Sequence, residues 1–179
     1  MNVKRFFYLA IYYGFAYYLP PTNVNFCGKM GGIIRNWCFR NIVKKCGYPI
    51  NIESHAHFGN GSGIEMGNHS CIGIHCHVPN DIKIGDNVMM GPNTFILDNY
   101  THDMSVIPTG RTVKLNGRTI IGNDVWIGRQ VLFTPCKQIG SHVVIGAGSV
   151  VSKNIPDNVV VAGNPIRIIR QRWDFNKES

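Results

Sequence analysis

The sequence predicts an all-β solenoid: a parallel β-helix behind an N-terminal helical segment, followed by a short basic C-terminal tail. Two observations carry this. Bulky apolar residues recur at every sixth position in two runs: Met66, Ile72, Val78, Ile84, Met90 and Ile96, then Ile121, Ile127, Phe133, Ile139, Ile145 and Val151. Glycine follows the apolar residue at 67, 73, 85 and 91 and again at 122, 128, 140 and 146. A period of six is neither the helical repeat nor simple alternation. It fits a short strand and a corner, three of which close a triangular coil of about eighteen residues whose neighbours share backbone hydrogen bonds. The alternative, a glycine-rich sandwich, predicts no fixed period.

Residues 1–48 read as the helical segment. Phe6 to Leu19 is an uncharged apolar and aromatic stretch behind Lys4 and Arg5. It has the basic and apolar parts of a signal peptide, but Pro20 and Pro21 stand where a small-residue cleavage site would follow. It is also shorter than the roughly 20 residues that span a bilayer. The expectation is a retained helix, either capping the open end of the coil or lying on a membrane face. Met30 to Cys46 predicts a second helix, with Ile33, Ile34, Trp37, Cys38 and Ile42 near one side. Lys44 and Lys45 suit its last turn and Gly47 its stop.

The β-helix is expected over 49–166. An earlier run, Ile52, Phe58 and Ile64, enters it with a phase slip of two residues. The beat is broken once, between Ile96 and Ile121, which predicts a loop extruded at 97–120. Residues 167–179 form the basic tail, read as a short helix carrying Arg167, Arg170 and Arg172.

Composition bounds the function. A chain of 179 residues with 44% hydrophobic residues suits one folded domain. A net charge of +8 favours an anionic partner: a phosphorylated cofactor, a nucleic acid or an anionic membrane. The six cysteines, at 27, 38, 46, 71, 76 and 136, form no Cys-x-x-Cys pair, which fits free thiols in a reducing cytoplasm.

The repeated [LIV]-G-x-x-x-x unit resembles the hexapeptide-repeat acyltransferase superfamily over about residues 49–170. IGNDVWIG at 121–128, IGAGSVVSKNIP at 145–156 and VVAGNPIRIIR at 160–170 resemble its sugar and polysaccharide O-acetyltransferase branch. The resemblance implies a left-handed coil, a homotrimer, and acetyl-CoA as co-substrate without a required metal. Handedness comes from the resemblance alone; the usual crossover rule favours the other hand. It also implies a general base in the extruded loop, and the loop's single histidine is His102, beside Asp103. A neutral imidazole titrates near pH 7, so it can take the acceptor's hydroxyl proton and return it to the leaving thiolate. The residues that match the family's CoA groove are Trp126, Gly128, Arg129, Ala147, Ser152, Lys153, Arg167 and Arg170. Gly128 and Ala147 lack bulk beside an extended arm; the cations suit phosphates, although a basic tail can also be a solvated face. Where maltose and galactoside members carry an asparagine, this chain has Cys71-Ile72-Gly73.

The expected activity is acetyl transfer to a hydroxyl of a sugar or polysaccharide precursor, in the cytoplasm and in peripheral contact with a membrane. An antibiotic, serine or another small acceptor is the alternative. A γ-type carbonic anhydrase needs a His-x-x-x-x-His pair, which is absent. A non-catalytic or nucleic-acid-binding module finds no nucleic-acid motif. His55-x-His57 and His75-x-His77 lie twenty residues apart, one coil with the slip. They are expected to stack, as a polar ladder or a zinc site.

Overall fold

The computed structural model describes residues 3–24, 26–102 and 112–173, without the side chains of 101 and 102. Asp103 lies outside the described residues, and so does the side chain of His102. Two helices precede the expected left-handed parallel β-helix, which makes about six turns.

Three walls build the coil. The first stacks Lys45–Cys46, Glu65–Met66, Lys83–Ile84, Ile120–Ile121 and Gln138–Ile139. The second stacks Ile50–Ile52, Ser70–Ile72, Met89–Met90, Trp126–Ile127, Val144–Ile145 and Val159–Ala162. The third stacks Phe95–Ile96, Leu132–Phe133 and Val150–Val151, with His57 and His77 bridged below them. Every residue of the two six-beat runs is buried, one per wall per coil. The register steps are Lys45↔Glu65, Glu65↔Lys83, Lys83↔Ile120 and Ile120↔Gln138. They show the slip in the first coil and the insertion in the third.

The six-residue unit has a second regularity. The third residue after most inward apolar residues turns the corner in the left-handed backbone region. His55, His69, His75, Asn87, Asn93, Asp124, Gln130, Cys136, His142 and Asn158 all lie there, with φ from 53° to 60°. Asn, Asp and His tolerate that region better than branched or bulky residues. The following residue turns inward again and is buried, as at Ala56, Cys76, Thr94, Val125 and Val131. The glycine after the inward residue answers to coil spacing. A Cβ on Gly73 would stand 2.4 Å from Met90 O, and one on Gly128 2.6 Å from Ala147 N.

Helix α1 (Val3–Gly14) and helix α2 (Phe26–Ile42) close the open end of the coil. Tyr12 is fully buried; its hydroxyl donates to Ala56 O at 2.7 Å, and Tyr13 donates to Gly59 O at 2.9 Å. The Tyr12 and Phe39 rings cover Phe58, with centroids at 4.6 and 5.0 Å. Side chains of α2 pair the free edge of Ile50–Ile52. Asn36 Nδ2 donates to Ile50 O at 3.0 Å, Ile52 N donates to Asn36 Oδ1 at 2.7 Å, and Arg35 Nε donates to Ile52 O at 2.8 Å. An unpaired edge is thus covered rather than left open to another strand.

Two expected elements are corrected. The second helix runs over Phe26–Ile42, not Met30 to Cys46. Lys45–Cys46 instead forms a strand on Glu65–Met66, and Lys44 Nζ leaves the helix direction to meet Glu65 Oε1 at 2.8 Å. The ladder offered by the next coil overrides helical propensity there. The tail forms no short helix: Arg167–Gln171 is a strand, antiparallel to Val159–Ala162, which pairs the last coil's free edge.

Candidate active site

The insertion leaves the third wall after Ile96 and re-enters the first wall at Ile120. Its stem is an antiparallel pair, Tyr100–His102 with Thr112–Lys114, in which the backbone of His102 faces Thr112. Asn99, at the base, is 2% exposed. It donates its amide to Asp81 Oδ1 at 2.8 Å, accepts from Cys136 Sγ at 3.3 Å, and receives Leu115 N on its carbonyl at 2.9 Å. Two coil corners, at Asp81 and Cys136, and the returning strand of the insertion are fastened to this one residue.

The eight CoA candidates do not converge on one cavity within the chain. Ser152 and Lys153 leave the end of Val150–Val151, on the same edge as the insertion. Gly128, Arg129 and Ala147 turn the other edge, between the second and third walls; Gly148 N donates there to Arg129 O at 2.9 Å. Arg167 joins that group through its register with Ala162, which stands over Gly146. Trp126 lies on the outer face of the second wall, 56% exposed. It shares one cross-strand row with Val144, Val160 and Arg170. Three strand spacings put Trp126 and Arg170 about 14 Å apart.

Lys153 and Arg167 are exposed and make no ion pair among the described residues. Arg170 is exposed and leans along its own strand, reaching Gln171 O at 3.4 Å. Arg172 is used structurally, donating to Asp124 O at 2.6 Å. The absent bulk of Gly128 is already required by Ala147 above it.

The paired histidines stack as expected. His55 lies 4.5 Å from His75 and His57 4.8 Å from His77, and Phe95 continues the second stack at 4.4 Å. Burial first, and then the neighbouring histidine, lowers the pKa of His55 and of His57 below the ordinary 6.5. Among the described residues no group of three or more His, Cys, Asp or Glu side chains is placed to hold a metal. Cys71, where the resemblance led an asparagine to be expected, is shielded, and burial raises its pKa. Sequence reasoning missed Asn99, Asp81 and Cys136. Only the end of the six-residue beat at Ile96 pointed near them.

The bacterial transferase hexapeptide family (six repeats) matches residues 118–153. The chain is 38% identical over 133 residues to the galactoside O-acetyltransferase of Escherichia coli K12, covering 70% of this chain and 63% of that one. It therefore spans less than two thirds of that relative's length. Among solved structures, a maltose O-acetyltransferase from Clostridium difficile 630 superposes with a TM-score of 0.71 at 32% identity. That match covers 94% of this chain and 86% of the other. A galactoside acetyltransferase in complex with coenzyme A gives 0.70 at 28% identity, covering 98% and 84%.

Proposed function

Because this chain belongs to the hexapeptide-repeat acyltransferases, in their sugar O-acetyltransferase branch, we propose that it transfers an acetyl group from acetyl-CoA to a hydroxyl of a sugar or polysaccharide precursor. One observation carries the reading beyond family membership. Six of the eight residues matching the CoA groove divide between two edges of the coil, and the stem of the histidine-bearing insertion rises from one of them. A groove between neighbouring copies in a cyclic homotrimer would join the insertion, Ser152 and Lys153 of one edge to Gly128, Arg129, Ala147 and Arg167 of the other. The coenzyme A held by the galactoside acetyltransferase neighbour supports the choice of co-substrate.

In this mechanism His102 is neutral when the acceptor arrives. It takes the hydroxyl proton as the oxygen attacks the thioester carbonyl, and backbone N–H groups stabilise the oxyanion. The C–S bond breaks, the ester forms, and the imidazolium returns its proton to the CoA thiolate. Gly128 and Ala147 leave room for the extended arm, with Trp126 beside it, while Lys153, Arg167 and Arg170 face phosphates. The thioester supplies the driving force, so the step requires no metal.

The proposal extends to a cytoplasmic location, which fits six cysteines without a Cys-x-x-Cys pair, and to peripheral contact with a membrane. Among the described residues no helix is long and apolar enough to cross one. Thiol release from acetyl-CoA across a panel of sugars, serine and antibiotic alcohols tests the reading. Release with sugars supports it; release with only serine or an antibiotic selects the alternative acceptor; none with any acceptor sinks the transferase. Light scattering should give about three times the 20.0 kDa chain mass.

A further inference from the structure

The charge of this chain is concentrated at one end. Residues 1–52 contain no aspartate or glutamate; the first acidic residue is Glu53. Seven of the eighteen Lys and Arg residues lie in that stretch, so it holds seven of the eight net positive charges. Arg35 is buried, whereas Lys29 and Arg40 are exposed on α2. Two guanidinium nitrogens of Arg5, Nε and Nη2, are shielded and have no acceptor among the described residues.

The same module turns large apolar side chains to water. Phe26, Met30, Ile33 and Trp37 follow one another at steps of four, three and four, one stripe along α2. They are 76, 42, 61 and 47% exposed, while Cys38, Phe39 and Ile42 of the same helix are buried against the coil. The Trp37 ring meets Tyr8 of α1 at 4.9 Å, and the Arg40 guanidinium lies 5.1 Å over the Tyr48 ring. Two shallow hollows share Asn41 on this surface: one is lined by Ile33, Trp37, Arg40 and Tyr48, the other by Lys4, Arg5 and Phe7.

A contiguous exposed apolar patch marks an interaction site. A second copy of this chain docking through the same face would set cations against cations with no acid on the module to pair them. An anionic bilayer satisfies both features: aromatic and aliphatic side chains enter the headgroup boundary while the flanking cations meet phosphates. We propose that this face docks the protein on an anionic membrane surface, with α2 lying in the plane of the interface. The proposal deepens the peripheral location given above, and does not depend on acetyl transfer. It also moves the contact from the Phe6 to Leu19 stretch, whose Tyr12 and Tyr13 are spent on the coil, to the stripe of α2.

Co-sedimentation of the full chain with phosphatidylcholine vesicles, with and without phosphatidylglycerol, tests it. Wild type should sediment with the anionic vesicles and stay in solution with the neutral ones. The double substitution Ile33→Ser, Trp37→Ser removes two side chains of the exposed stripe, together with the Trp37–Tyr8 ring contact, and should weaken partition about tenfold or more; Lys29→Glu with Arg40→Glu should do the same. Wild type remaining in solution with anionic vesicles overturns the proposal, as does a double variant that sediments like wild type. A scattering mass that falls in the serine variant while vesicle binding does not change assigns the face to a second copy, and also overturns it. Turnover on a water-soluble sugar should be the same in wild type and the serine variant. Loss of turnover with every acceptor in both would sink the catalytic reading and leave the vesicle result standing.

Discussion

The side-chain amide of Asn99 donates to Asp81 Oδ1 at 2.8 Å, and this bond fastens the start of the long insertion to the coil below it. Cys136 Sγ holds the other end of the same amide from the coil above. His102 follows three residues later on the stem strand. Asn99 is thus a positioning residue for the proposed base. Asn99→Ala should lower kcat about tenfold to a hundredfold, because small misplacements of a reacting group are costly, while KM for acetyl-CoA stays near wild type. In a His102→Ala background the same change should cost nothing more. An equal loss in both backgrounds would mean that Asn99 supports the fold and not the base.

Arg35 is the plug between the helical module and the first coil. Its guanidinium serves Ile52 O, Leu19 O and Pro20 O and lies 3.8 Å from Glu53 Oε2. Burial works against the ionised form of Glu53. Hydrogen bonds from Thr22 and Asn51, together with Arg35, nevertheless hold its pKa below the ordinary carboxylate value. Arg35→Ala strands a carboxylate and several carbonyls in one step. It should cost about 3–5 kcal/mol in urea unfolding at fixed protein concentration. A loss below about 1 kcal/mol would show that water reaches the cluster.

The solenoid was legible in the sequence because every sixth residue must point inward, and no other fold enforces that beat. Corner geometry was equally present but unread: His55, His69 and His75 each stand three residues after Ile52, Met66 and Ile72, where the chain turns. The helix end was misread because Lys44 and Lys45 suit a last turn, whereas the Glu65–Met66 edge offers Lys45 a backbone partner. The tail was misread for the same reason, since an open sheet edge recruits Arg167–Gln171. Asn99 was out of reach, because its partners Asp81 and Cys136 are distant in sequence and belong to different coils.

The histidine stack makes stability depend on pH. The folded-state pKa of His57 is lowered, by burial first and then by His77, with Asp98 opposing. The unfolded chain therefore binds the proton more readily than the folded one. Stability is full above the ordinary value of 6.5 and falls as pH drops through it. The thermal midpoint should decrease between neutral and mildly acidic pH, and His57→Gln should flatten that slope. An unchanged slope in the variant would remove the stack as its cause.

Lys153 and Arg167 stand on opposite edges of the third wall, so each should meet a different part of CoA in an inter-subunit groove. Changing either to Ala should weaken CoA binding, more at low salt than at high salt. If CoA binds both variants as tightly as wild type, these cations face solvent.

The central claim is tested most directly by turnover of wild type against His102→Ala, with acetyl-CoA and a sugar that supports thiol release. The substitution should lower kcat by about 10² to 10⁴-fold and leave the Kd for CoA nearly unchanged. Wild-type turnover in His102→Ala would contradict the mechanism and take the insertion out of the active site.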